Sequence, residues 1–206
     1  MNRLHSLVAR PVLLLFCLSA GCVSLDGGYP EKRYFVVELA ENSPRSNSSG
    51  DQTLMVSGLR VSPRYADKSF VYRISDSGYE ADFYNQFLTS PETMLGEEVR
   101  KGLAASPAFK YVVGASSQLQ PNYVLEGSVN ALYGDFRNLD KPAAVLEIEF
   151  FLHNEDSHDP GIVLQKRYMK SVPINGRTPD ALVKGWSQAL QAILTDLNGD
   201  LQKIKS

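Results

Sequence analysis

Thr178–Ile204 reads TPDALVKGWSQALQAILTDLNGDLQKI. Thr178 is a favoured N-cap, Pro179 suits the first helical position, and Asp180 suits the positive end of the helix dipole. Leu182, Trp186, Leu190, Ile193, Leu197, Leu201 and Ile204 then recur at three- and four-residue spacing, which predicts one buried stripe along an α-helix. Lys184, Gln188, Gln191, Thr195 and Asp196 lie opposite. A long helix with a single apolar stripe covers a sheet face, and Trp186 on that stripe reads as core rather than as a binding platform.

The sheet is written in the residues before it. Asn122–Phe136 (NYVLEGSVNALYGDF) alternates over much of its length, with Tyr123, Leu125 and Gly127 opposing Val124, Glu126 and Ser128. Ala143–His153 (AAVLEIEFFLH) and Ile162–Ser171 (IVLQKRYMKS) are two further strands, and the three predict an antiparallel meander. Arg33–Ala40 (RYFVVELA) predicts a first strand and Thr53–Ser62 a second, with Gly58 marking a bulge. Glu41–Gln52 has no apolar residue and reads as a loop. Ser69–Ile74 and Glu80–Phe87 pair across the turn Ser75-Asp76-Ser77-Gly78. Ser90-Pro91-Glu92 opens a first helix, whose Leu95, Val99 and Leu103 face inward until Pro107 ends it. Phe109–Val113 is a short strand. The expected fold is α+β: a largely antiparallel mixed sheet of about seven strands with two main helices packed on one face.

The N-terminal residues follow a different logic. Arg3 and Arg10 precede the apolar run Pro11–Ala20, and no acid occurs before Asp26. The run is far shorter than the roughly 20 residues that span a bilayer, so it reads as a secretory signal. It ends in Leu18-Ser19-Ala20-Gly21-Cys22, which resembles the lipobox of a bacterial lipoprotein. In that reading residues 1–21 are removed, Cys22 carries lipid, and residues 22–32 (CVSLDGGYPEK) tether a domain spanning 33–206. The ten residues after the Cys, Val23–Lys32, reach roughly 35 Å when extended. Val23 rather than Asp after the Cys leans towards the outer membrane. The expected location is therefore the envelope, facing the periplasm, with the lipid as the membrane contact.

Composition narrows the function classes. Removing residues 1–21 takes away Arg3 and Arg10 and leaves 19 basic against 23 acidic residues, a net of about −4. A mildly acidic domain is poorly matched to nucleic acid. Cys17 lies in the discarded segment, so the mature chain has Cys22 alone, with no disulfide and no Cys metal site. No catalytic constellation, phosphate-binding loop or dinucleotide fingerprint is present, and no cofactor is expected. His153-Asn154-Glu155-Asp156-Ser157-His158-Asp159 has metal-ligand residue types but sits where a polar hairpin connection belongs, and reads as a solvated turn. Glu147 and Glu149 alternate on a strand away from Leu146, Ile148 and Phe150, as on an exposed sheet face. Tyr79, Phe83, Tyr84 and Phe87 form an aromatic segment before the first helix. Packing under that helix is the expected role, with an exposed aromatic rim as the functional alternative.

Several segments in order carry a resemblance. They are Tyr34-Phe35-Val36-Val37, Leu59-Arg60-Val61, Phe70-Val71-Tyr72-Arg73, Tyr84-Asn85-Gln86-Phe87, Ser90-Pro91 before Met94-Leu95, Phe109-Lys110-Tyr111-Val112 and Tyr123-Val124-Leu125-Glu126-Gly127. Following a lipobox, this order resembles the ABC-type transport auxiliary lipoprotein component family, associated with MCE-domain lipid transporters. The resemblance implies a non-enzymatic subunit that accompanies an MCE-domain protein and an ABC permease and ATPase. Some members are thought to form rings, which implies a homo-oligomer. The tether and α+β domain also suit an envelope assembly lipoprotein, such as a pilotin or a cell-wall-synthase activator, or a lipid-binding carrier.

Overall fold

The computed structural model describes residues 31–40, 51–155 and 160–204. The chain divides into Met1–Glu31 and Lys32–Ser206, and the elements below all belong to the second unit. In order they are β1 (Arg33–Phe35), β2 (Thr53–Val61), β3 (Ser69–Arg73), β4 (Tyr79–Phe87), α1 (Pro91–Ala104), β5 (Tyr111–Gly114), β6 (Tyr123–Asp135), β7 (Ala143–Asn154), β8 (Gly161–Pro173) and α2 (Pro179–Ile204).

The meander is as expected: β6 pairs β7 and β7 pairs β8, both antiparallel, over nearly their full lengths. Alternation sets the faces. Ala144, Leu146, Ile148, Phe150 and Leu152 are buried on the helix side of β7. Glu147 and Glu149 point away, and Arg167 of β8 bridges them at 3.5 and 3.7 Å.

The other edge of β6 is where the sheet departs from a simple meander. Its first half, Tyr123–Val129, pairs in parallel with β2, and its end, Gly134–Asp135, pairs in parallel with β3. The sheet therefore forks at β6. One branch continues through β2 to β5, again parallel, and the other through β3 and β4 to β1. The β3–β4 hairpin is antiparallel as predicted, and β1 joins β4 in parallel. Eight strands are present among the described residues, in a mixed sheet. Gly58 has φ +128° at the point where the β2–β6 register shifts, a conformation that an L side chain resists.

The first strand is shorter than its residues suggest. Only Arg33–Phe35 pairs in the sheet, whereas Val37 and Leu39 are buried outside it. Side chains of the two helices satisfy the backbone there. Leu39 N–H donates to the Glu98 carboxylate at 2.7 Å, Glu38 N–H to the Ser187 hydroxyl at 3.3 Å, and Val37 N–H to the Met94 sulfur at 3.3 Å. Apolar residues 37 and 39 thus fill the helix layer rather than extend the sheet.

Both helices lie on one face. Ser90 caps α1, its hydroxyl accepting from Thr93 N–H, and Leu95, Val99 and Leu103 are fully buried. Thr178 caps α2, its Oγ1 accepting from Ala181 N–H at 3.2 Å. Close approach of α2 to β7 needs a glycine. A Cβ at Gly185 would fall 2.6 Å from Ala144 Cβ and 2.7 Å from Ile174 Cγ2. At the far end of α2, Asp200 accepts from Lys166 at 2.6 Å, Tyr168 at 2.9 Å and Lys203 at 3.0 Å. Those three donors hold its carboxyl well below the usual carboxylate range.

Trp186 sits over the fork. It is wholly buried, and its indole N–H donates to the Tyr133 carbonyl at 3.3 Å, in the stretch of β6 between the β2 and β3 pairings. Its ring packs against Phe70 of β3 at 5.0 Å, edge-on, and against Phe87 at the end of β4 at 5.4 Å. Phe70 also meets Phe87 at 4.6 Å and Phe35 of β1 at 5.2 Å. One side chain therefore ties α2 to the whole β3–β4–β1 branch. Trp186→Ala should cost about 3–5 kcal/mol. Trp186→Phe, which keeps most of the packing, should cost about 1–2 kcal/mol for the lost hydrogen bond. Urea denaturation of both variants checks the order.

Candidate functional site

The β3–β4 hairpin is irregular at its centre. Ala81 pairs Val71 and Gln86 pairs Ser69, so two steps along β3 match five along β4. Residues 82–85 are looped out of the hairpin, although Asn85 still pairs Arg33 of β1. Asp82 holds this loop. Its carboxylate accepts from Tyr72 Oη at 2.5 Å, from the backbone N–H groups of Tyr84 and Asn85 at 2.8 and 2.9 Å, and from Asn85 Nδ2 at 2.7 Å. Burial works against the charged carboxyl, and the four donated hydrogen bonds outweigh it, so Asp82 titrates below its ordinary range. Burial, with Asp82 as acceptor, drives the Tyr72 phenol far above its ordinary value.

The locked loop presents two aromatic rings to solvent. Phe83 is 64% exposed and Tyr84 41%, and the rings meet edge-on at 5.2 Å. On the neighbouring residues Tyr34 is 55% and Leu88 54% exposed. Lys32 Nζ lies 4.3 Å over the Phe83 ring. The expectation that Tyr79, Phe83, Tyr84 and Phe87 all pack inward is thus corrected. Phe87 is core, and Tyr79 meets Tyr133 edge-on at 5.9 Å while staying partly exposed. Phe83 and Tyr84 are exposed because the bulge breaks the alternation that would have turned every second residue inward.

The remaining candidates resolve individually. Cys22, the lipidation candidate, lies outside the described residues, as do residues 156–159 of the His-containing turn. His153 is on β7, 4.0 Å from the Glu126 carboxylate, and no cluster of His, Cys, Asp and Glu suited to a metal is present among the described residues. Trp186 is core, as expected. Among the described residues no helix is long and apolar enough to cross a membrane.

A family model described as ABC-type transport auxiliary lipoprotein component matches residues 37–198. The chain belongs to that family. Among solved structures, the auxiliary lipoprotein is similar to a Xanthomonas campestris protein of family DUF330, with a TM-score of 0.67 at 16% identity, covering 85% of this chain and 95% of that one. A hypothetical protein from Chlamydia trachomatis has a TM-score of 0.50 at 8% identity, covering 73% of this chain and 97% of that one. These likenesses concern the fold. No curated protein matches the chain.

Asp82 generates a prediction of its own. Its folded pKa lies below the unfolded value near 3.9, so its stabilisation is present above that value and is lost as pH falls through the folded pKa. Asp82→Ala should lower stability by about 2 kcal/mol at neutral pH. The gap from the parent protein should narrow steadily as denaturation is repeated below about pH 4.

Proposed function

We propose that this auxiliary lipoprotein is processed before Cys22 and anchored there by lipid. It faces the periplasm, at the outer membrane in preference to the inner. There it serves, without catalysis of its own, an ABC-type system that moves lipid between envelope membranes, docking on an MCE-domain protein whose permease and ATPase supply the energy. The single observation that carries this reading is the family match over residues 37–198. It is supported by the signal-like run and small residues leading into Cys22. A diacylglyceryl Cys with an amide-linked chain provides more than the two lipid signals that stable anchoring needs.

Cross-linking in intact cells, followed by membrane fractionation, tests both parts. The parent chain should sediment with membranes and give an adduct with an MCE-domain protein. Cys22→Ala should shift to the soluble fraction. Adducts confined to a secretin or a peptidoglycan synthase would replace the transport role with an assembly role. A Cys22→Ala chain that stays with the membrane through a salt wash, in cells lacking the MCE-domain protein, would remove the anchor.

A further inference from the structure

We propose that the loop carrying Phe83 and Tyr84 is a membrane-contact site that seats the domain on the bilayer holding its own anchor. This rests on the anchoring at Cys22 given above and adds which face of the domain meets the lipid.

Four observations point to a lipid surface rather than to solvent. The first is chemistry: Phe83, Tyr84, Tyr34 and Leu88 are all about two-fifths exposed or more, and all lie on β1, on β4 or directly after it. Aromatic rings with an apolar body, two of them here bearing a polar tip, are the side chains that settle at the headgroup level of a bilayer. The second is charge. Lys32 stands over Phe83, and Lys68 Nζ is held beside the patch by the Leu88 carbonyl at 3.0 Å. Basic groups flanking an apolar contact favour anionic headgroups although the mature chain is acidic overall.

The third is rigidity. Exposed aromatics on a mobile loop would lose conformational entropy on insertion. Here Asp82 has already fixed the loop through four hydrogen bonds, one of them to the mostly buried Tyr72, so that cost is met on folding. The fourth is position. Lys32 is both the residue over the Phe83 ring and the start of the folded unit. The ten residues Val23–Lys32 that link it to Cys22 reach at most roughly 35 Å. A lipidated chain therefore keeps this corner of the domain at high effective concentration beside the bilayer. A contact too weak to hold a free protein is enough to orient a tethered one.

The test uses the full lipidated chain reconstituted into phosphatidylethanolamine–phosphatidylglycerol vesicles whose acyl chains are brominated, a quencher of nearby tryptophan. Trp186, the only native Trp, is wholly buried and serves as a constant background. Phe83→Trp and, independently, Tyr84→Trp place a probe on the loop. Tyr111→Trp places one at an exposed position on β5, at the end of the other branch of the sheet. Sedimentation of the same samples reports the anchor, and circular dichroism reports folding. The expected result is a blue-shifted, strongly quenched emission from positions 83 and 84 and unshifted, unquenched emission from 111. Vesicle-bound protein with no quenching at 83 and 84, or with equal quenching at all three positions, overturns the membrane contact and leaves the anchor standing. Protein that neither sediments nor is quenched overturns both. A blue shift at 83 and 84 without quenching, growing with protein concentration, gives the patch to a second copy of the chain and overturns the lipid assignment.

Discussion

The fork at β6 is the constraint on which the rest of the structure depends. One strand edge serves two branches, β2 over Tyr123–Val129 and β3 over Gly134–Asp135. Beyond that edge of β6, neither branch pairs with β7 or β8. Trp186 braces the β3 branch against β6 at the point of the fork. Its N–H reaches the Tyr133 carbonyl while its ring meets Phe70 and Phe87. Gly185, the residue before it, lets α2 come close enough to β7 for that reach. On the opposite face Tyr133 stacks with Tyr65 at 6.0 Å, so the stretch between the two pairings is covered from both sides.

The position of the exposed aromatic loop follows from that arrangement. The β3–β4–β1 branch is aromatic, with Phe70 and Phe87 packed on Trp186 and Phe35 packed on Phe70. The excess residues of β4 are extruded from the hairpin, and Asp82 gathers them into a fixed loop. Core packing on one side of the branch and aromatic exposure at its rim therefore have a common origin. That branch also begins at Arg33, next to Lys32, the first residue of the second unit, and on the proposed anchoring at Cys22 the residues leading from the lipid would end there.

Much of this was legible in the residues, for a local reason. The β6–β7–β8 meander and the β3–β4 hairpin join neighbours in sequence, so alternation and turn chemistry predict them. The stripe Leu182–Trp186–Leu190–Ile193 and the caps Ser90 and Thr178 are likewise local signals. The four parallel pairings were not legible as such, because each joins strands separated by other elements and leaves no turn signature. Val37 and Leu39 read as strand residues because burial between helices and burial in a sheet select the same side chains. The packing expectation failed for Phe83 and Tyr84 since a four-residue extrusion reverses the pattern on which it rested. Asp82 was the missed residue. An Asp directly before an aromatic pair and three positions before Asn is a turn-forming signal, easily overlooked inside a strand pattern.

The chain has one tryptophan, so its indole N–H gives a single signal in a nitrogen-filtered NMR spectrum. Hydrogen exchange of that proton tests directly whether Trp186 closes the fork. If it does, the proton exchanges only when the whole domain unfolds, with an opening free energy equal to that from denaturant titration and matching the slowest amides of β7. Exchange within minutes under conditions where the β7 amides stay protected would contradict it, since the fork would then open while the meander remained folded.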